Sequence, residues 1–269
     1  MPRLTKLLAI FPNLLSEWRA CARMSADSRS ALRLGFDFAL SRLLFLLPKN
    51  RAGALRKVRF KGGVELCYRL NKGDLHGIRE VWFDEAYRLP FDDPSGTLLD
   101  LGANIGLTSV WLAKRYEFSR VIAVEPDPSN AKLVRRNLEL NRINGEVVEA
   151  AIGPREGTAT FERSGSSNLG RLSEHGVAVA MTTVDAILQK TACQRFGLVK
   201  IDIEGGEEQL FDGPTGWLAA TNALIAEFHP ALADCSRIVE TISKHGFEYI
   251  RSNSVFRDNM DCFRSNTCA

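Results

Sequence analysis

Residues 97–106 read Thr-Leu-Leu-Asp-Leu-Gly-Ala-Asn-Ile-Gly, and this stretch limits what the chain can fold into more than any other. A short apolar run ends in an acid, two glycines follow, and an apolar helical pattern begins near Ile105. That order specifies a buried strand, a tight turn and a helix N-terminus. A second unit repeats the rhythm. Val121-Ile-Ala-Val124 is a buried strand with Glu125 at its end. Asp127 then caps a helix, and Pro128 takes the first helical position, where a missing N–H costs nothing. The alternation predicts strands at 97–101, 120–125, 146–150, 198–203, 222–228 and 247–251, and helices at 105–116, 128–141, 206–212 and 231–245. The expected class is α/β, a Rossmann-like parallel sheet with helices on both faces.

Residues 157–183 interrupt that rhythm, with short strands expected at 158–162 and 177–182 around a polar Gly/Ser stretch. Ser164–Gly170 reads either as a lid near a pocket mouth or as an ordinary surface loop. Upstream lie two expected helices, 3–23 and 26–47, a hairpin over 55–70 turning at Gly62-Gly63, and a helix over 74–88. Residues 1–73 form a helical and hairpin extension, and 74–269 the main domain. The loop Asp92–Gly96 precedes its first sheet strand. In the second helix Leu32, Phe36, Ala39, Leu40, Leu43 and Leu47 recur at helical spacing. That stripe is expected to pack on the main domain, the other use being to lie on a membrane surface.

Net charge is only +3, but it is unevenly spread. Residues 1–72 hold 15 Lys and Arg against 4 Asp and Glu, a balance of +11, which leaves −8 for the remainder. A solvated basic face explains this, and so does contact with an anionic partner: a peripheral membrane surface, an acidic carrier protein or a nucleic acid. With no aromatic-interleaved basic stripe, nucleic acid is not the expected partner. The six cysteines form no C-x-x-C pair, which points to a reduced, cytoplasmic setting. No stretch is apolar for long enough to cross a bilayer. Oligomeric state is left open.

The turn at Asp100, Gly102, Asn104 and Gly106 is the expected cofactor site. A dinucleotide fingerprint has glycine at the middle position, where Asn104 stands. A carboxylate at Asp100 would repel pyrophosphate and suit the cationic groups of S-adenosylmethionine. Gly102, lacking a Cβ, would let backbone approach the ligand. Glu125 is placed to accept hydrogen bonds from ribose hydroxyls, and Ala151, between Ala150 and Ile152, to flank the adenine. Core packing explains that last triplet equally well, and a turn without a ligand remains the plain alternative.

Further on, Val199-Lys-Ile-Asp-Ile-Glu-Gly-Gly-Glu207 and Glu227-Phe-His229 each end a strand. Asp202 and Glu204 are two apart and share a side, as do Glu227 and His229. His229 is the candidate general base, Asp202 a contact for the methionine amino group or the acceptor, and Glu204 a contact for the acceptor or the cofactor tail. A structural histidine is the alternative. So is a divalent cation held by Asp202, Glu204 and His229, although no spacing signature calls for a metal.

Asp100–Gly106, Val124–Asp127, Val199–Glu207 and Glu227–His229 together resemble the FkbM family of class I methyltransferases, and Glu80-Val-Trp-Phe-Asp-Glu-Ala-Tyr87 resembles the opening segment of that family. The resemblance covers roughly residues 74–251. It implies an S-adenosylmethionine-dependent enzyme that methylates hydroxyl groups on polyketides, glycans and other specialised metabolites. Amino- and amide-nitrogen methyltransferases resemble one another in an Asn/Asp-Pro-Pro-aromatic run after the fourth strand. This chain has Asp202-Ile-Glu-Gly205 there, which favours oxygen. The expected function is O-methylation of a small molecule or glycan. The alternatives are an RNA or protein methyltransferase docking through the basic extension, a non-catalytic cofactor-binding interaction protein, and a dehydrogenase.

Overall fold

The computed structural model describes residues 14–42, 53–162, 171–172, 176–251 and 260–266. It opens with α1 (Leu14–Met24) and α2 (Ser28–Ser41). The outer parts of the two expected N-terminal helices, 3–13 and 43–47, lie outside the described residues. Asp27 starts α2 by accepting the Ser30 N–H at 2.8 Å.

The face that α2 buries differs in part from the expected one, of which Leu40 does pack against the core. Leu34 and Phe38 are 0% and 6% exposed, whereas Leu32 and Phe36 are 60% and 61% exposed. A polar contact and a packing contact select the buried face. Asp37 accepts the Tyr68 hydroxyl at 2.7 Å. The Trp18 ring lies so close to Gly35 that an added Cβ would stand 2.7 Å from it. Hydrophobic spacing alone could not weigh a buried carboxylate.

The hairpin follows as expected, with β1 (Leu55–Arg59) antiparallel to β2 (Glu65–Arg69). The free edge of β2 is closed by side chains of a later helix, α5 (Pro128–Leu140) and its C-cap Asn141. Asn137 accepts from Cys67 N–H at 2.7 Å and donates to Cys67 C=O at 3.0 Å, and Asn141 does the same for Glu65 at 3.0 and 2.7 Å. α3 (Lys72–Ile78) continues into a wide π-type turn over Arg79–Phe83, short of the expected end at 88. Glu85, at φ 46°, is left-handed and ends helical propagation.

The main sheet contains β3 (Thr97–Leu101), β4 (Arg120–Val124), β5 (Gly145–Val148), β10 (Phe196–Ile201), β11 (Ala223–Glu227), β12 (Phe247–Ile250) and β13 (Met260–Ser265). Its order is β12-β13-β11-β10-β3-β4-β5. The pairs among β5, β4, β3, β10 and β11 are parallel, as expected, but β13 runs antiparallel between β11 and β12. Asp261 and Arg264 break its apolar run, so the sequence does not mark it as a strand. α4 (Leu107–Tyr116), α5, α7 (Glu207–Asp212) and α8 (Cys235–Lys244) connect the strands. Four short strands make a second sheet in the order β6-β9-β7-β8: Ala151–Ile152, Val177–Thr182, Gly157–Glu162 and Arg171–Leu172. α6 (Val184–Lys190), capped by Thr183, joins it to β10 and was not expected.

Two cores flank the sheet, sorted by strand periodicity. Leu98, Val121, Ala123, Leu198 and Ile225 face one side, together with Leu34, Phe38, Leu66 and Tyr68 of the N-terminal segment. Leu99, Leu101, Ile122, Val124, Val199, Ile201, Leu224 and Ala226 face the other, against Ile187, Leu210 and Ile238 of α6, α7 and α8. Cys21, Cys67, Cys193, Cys235 and Cys262 are free thiols. Among the described residues no helix is long and apolar enough to cross a membrane.

Candidate active site

A cavity of about 480 Å³ opens at the carboxyl ends of β3, β4, β10 and β11. Its walls include the expected Gly102, Asn104, Glu125, Ala151, Asp202, Glu204 and His229, but not Asp100 or Gly106. Gly106 is the left-handed N-cap of α4, where an added Cβ would stand 3.1 Å from Val134 Cα, so it serves helix packing. Gly102 has φ +76°, and its Cβ would meet the Asp202 carbonyl at 1.9 Å. The glycine is therefore required for two strand ends to meet, a different reason from ligand approach.

Asp100 is fully buried beneath the turn. It accepts the Ser109 hydroxyl at 2.5 Å and lies 3.1 Å from Lys200 Nζ. The expectation that its carboxylate faces a cationic ligand is corrected: its partner is internal. Lys200 also donates to the carbonyls of Leu101 and Gly102, at 3.2 and 2.8 Å, and lies 3.6 Å from Asp202. Burial pulls the Lys200 pKa down, yet Asp100 and then Asp202 raise it above the ordinary lysine value. This ammonium ties the turn after β3 to the end of β10.

Glu125, nearly buried, binds the turn itself. One oxygen accepts Asn104 N–H at 2.8 Å, and the other accepts Asp127 N–H at 2.9 Å and the Asn130 amide at 3.3 Å. Burial nonetheless pushes its pKa up to about 7. Ala150, Ile152, Phe161 and Leu107 give this end of the cavity apolar surface.

At the other end Asp202 accepts the Tyr87 hydroxyl at 2.8 Å. Burial, then the charge of Asp202, holds the Tyr87 phenol protonated, well above its ordinary pKa. His229 Nδ1 lies 2.9 Å from Oε1 of the buried Glu207, and Nε2 lies 3.6 Å from Glu204. The hydrogen bond to Glu207 raises the His229 pKa to about 9 against the opposing effect of burial. Burial and then the charge of Asp202 raise Glu204 to about 7. Glu204 is left-handed, at φ 53°, an uncommon conformation for a side-chain-bearing residue that aims it into the cavity. Asp202, Glu204 and His229 each offer an atom within 4.8 Å of the others, close enough to share a cation.

Several wall residues carried no role in the sequence reading. Arg69 and His76 come from the segment before the sheet, where no motif marks them. Glu80, Tyr87 and Lys200 on the wall, and Glu207 buried behind His229, all lie inside recognised motifs, and a strand pattern does not say which of their side chains turn inward. The expected lid Ser164–Gly170 lies outside the described residues, while Phe161 just before it is on the wall.

Residues 100–249 match the Methyltransferase FkbM domain family. The chain belongs to that family. This FkbM chain is 25% identical over 162 residues to Methyltransferase 1 of Beauveria bassiana (strain ARSEF 2860), covering 50% of this chain and 65% of the relative. It is 28% identical over 131 residues to Methyltransferase sdnD of Sordaria araneosa, covering 47% and 51%. With Hexuronic acid methyltransferase AglP of Haloferax volcanii it shares 26% identity over 173 residues, 62% of this chain and 67% of the relative. The matched part thus spans half to two thirds of these relatives' lengths. The crystal structure of a methyltransferase FkbM from Methylobacillus flagellatus KT aligns with TM-score 0.50 at 16% identity, covering 96% of this chain and 60% of that one, and shares the fold.

Proposed function

We propose that the chain transfers a methyl group from S-adenosylmethionine to a hydroxyl of a small molecule or sugar. One observation carries this reading: His229, backed by the buried Glu207, lines the same cavity as Asp202 and Glu204 and as Glu125, the carboxylate expected at a ribose.

The residues present fit that cofactor. Asn104 Oδ1 is buried without a hydrogen-bond partner on a wall residue, an acceptor that awaits a donor. Glu125 would hold the ribose hydroxyls, Ala151 and its neighbours the adenine, and Asp202 the amino group. When bound, S-adenosylmethionine supplies a methyl on a cationic sulfur that departs as a neutral thioether. Glu207 accepts the Nδ1–H of His229 and so directs Nε2 into the cavity. A neutral Nε2 takes the acceptor's hydroxyl proton as its oxygen bonds the methyl carbon. Positive charge bound against Asp202 and Glu204 opposes a proton on Nε2 and favours that neutral form. Tyr87 and Lys200 keep the Asp202 carboxylate in place.

The family supports methyl transfer, and AglP, named as a hexuronic acid methyltransferase, supports a sugar among the acceptor classes. Calorimetry with S-adenosylhomocysteine and with NAD tests the cofactor, the first alone being expected to bind. Transfer of labelled methyl to a panel of sugars, polyols and phenols, set against amines and RNA, tests the acceptor. Label on nitrogen or on RNA, with none on a hydroxyl, overturns the reading.

A further inference from the structure

Beside the cavity a second and larger depression, about 1370 Å³, runs between α1, α2, the hairpin and α5. Two kinds of residue line it. Trp18, Leu32, Phe36 and Leu55 supply apolar surface, and seven Lys and Arg supply charge against two carboxylates, Asp37 and Glu139. Of the eight large hydrophobic residues exposed among the described residues, five (Leu15, Trp18, Leu32, Phe36 and Leu55) belong to α1, α2 and β1. Lys132, Arg135 and Arg136 of α5 complete the cationic side, and Lys132 and Arg136 have no ion-pair partner among the described residues. The basic character therefore extends beyond residues 1–72 to α5, which starts just after Glu125.

We propose that this face docks on an anionic lipid bilayer, independently of the reaction assigned to the cavity. Leu32, Phe36 and Leu55 are 60–62% exposed and so leave most of their apolar surface in water, beside a Trp18 that is packed on Gly35 and still partly exposed. Contiguous exposed apolar surface of this kind marks an interaction site. Ringed by Lys and Arg, it matches the boundary between acyl chains and anionic headgroups, with the aromatic residue suited to the interface. An acidic protein or nucleic acid would satisfy the cations but leave Leu32 and Phe36 unused. The face adjoins the Arg69 and Ser129 side of the cavity, which lines both, and lies away from Asp202 and His229. Attachment would thus leave the proposed reacting end open.

The test uses the full chain with vesicles of phosphatidylcholine alone and of phosphatidylcholine mixed with phosphatidylglycerol. The protein should sediment with the mixed vesicles only, and salt should weaken the binding. Leu32→Ser with Phe36→Ser should cut partitioning roughly tenfold. Lys132→Glu with Arg136→Glu should cut it at least roughly tenfold. Brominated acyl chains should quench tryptophan fluorescence in the native chain and quench it less in Trp18→Phe. Unchanged thermal melting shows that each variant is folded, and the charge pair stands if the apolar pair is not. Three results overturn the proposal: no binding to mixed vesicles at low salt, equal binding to both compositions, or binding indifferent to Leu32 and Phe36. The last would mean a purely electrostatic contact of the kind an acidic protein or nucleic acid makes.

Discussion

Replacing Glu207 by Gln removes a buried charge while keeping an oxygen for the Nδ1–H of His229. That carboxylate, 2.9 Å away, is the largest influence raising His229 from 6.5 to about 9. A general base works only unprotonated, so kcat/KM for S-adenosylmethionine, which reports the chain before the cofactor's positive charge is bound, should rise with pH through about 9. At pH 7 on the order of one His229 in a hundred is then neutral, against about three in four for an ordinary histidine. In Glu207→Gln the limb should move down toward 6.5, while the alkaline plateau falls severalfold because a weaker base removes the proton less readily. The assay is the pH dependence of initial methyl-transfer rates for both proteins, with kcat and KM separated. A limb that stays in place in the variant refutes the assignment of His229 as the base. The same pair contributes to stability with a definite sign. Because folding raises the His229 pKa, its contribution is complete below 6.5 and is lost as pH rises through about 9. The melting-temperature gap between native chain and variant should narrow over that interval.

Gly102→Ala forces a Cβ into the Asp202 carbonyl at a left-handed φ, so urea unfolding should show a loss of at least about 3 kcal/mol, and a loss under about 1 kcal/mol would contradict the geometry. Lys200→Met strands the buried Asp100 charge and should cost roughly 3–5 kcal/mol, with Asp100→Asn added to it recovering part. Glu125→Ala should weaken S-adenosylhomocysteine binding by calorimetry on the order of tenfold or more, and unchanged affinity would remove it from the cofactor site. If His229 acts as a base and the Asp202, Glu204 and His229 cluster holds no cation, dialysis against EDTA should leave turnover unchanged; loss restored by a divalent ion would reverse the roles.

The strand–helix alternation from Thr97 onward was legible because each strand is short, apolar and followed by a turn residue with one conformational use. The Asp127–Pro128 cap was legible for the same reason. Depth was harder to read. Asp100 looked like a ligand contact because sequence shows a carboxylate at a strand end, and only the fold brings Lys200 of another strand beneath it. On α2 the buried Asp37 paired with Tyr68 outweighs the Leu32–Phe36 part of the stripe and, among the described residues, leaves only Leu40 of it against the core. β13 and Glu207 act through partners far away along the chain, and local pattern holds no trace of such pairing.

The two asparagines that close the edge of β2 also act as a gauge. Four residues of helix advance about 6 Å and two residues of strand about 6.6 Å, so Asn137 and Asn141 stay in step with Cys67 and Glu65. A slip of one residue would present each amide with a residue whose N–H and C=O point to the opposite edge, so intermediate positions are excluded. Arg69, two residues beyond Cys67, is thereby held at one fixed reach, where it bonds Asp74 and the Asn130 side chain. The hairpin thus enters the cavity wall at a distance set by the near-equal advance of a helix and a strand, and α5 carries that measurement back to the turn where Glu125 stands.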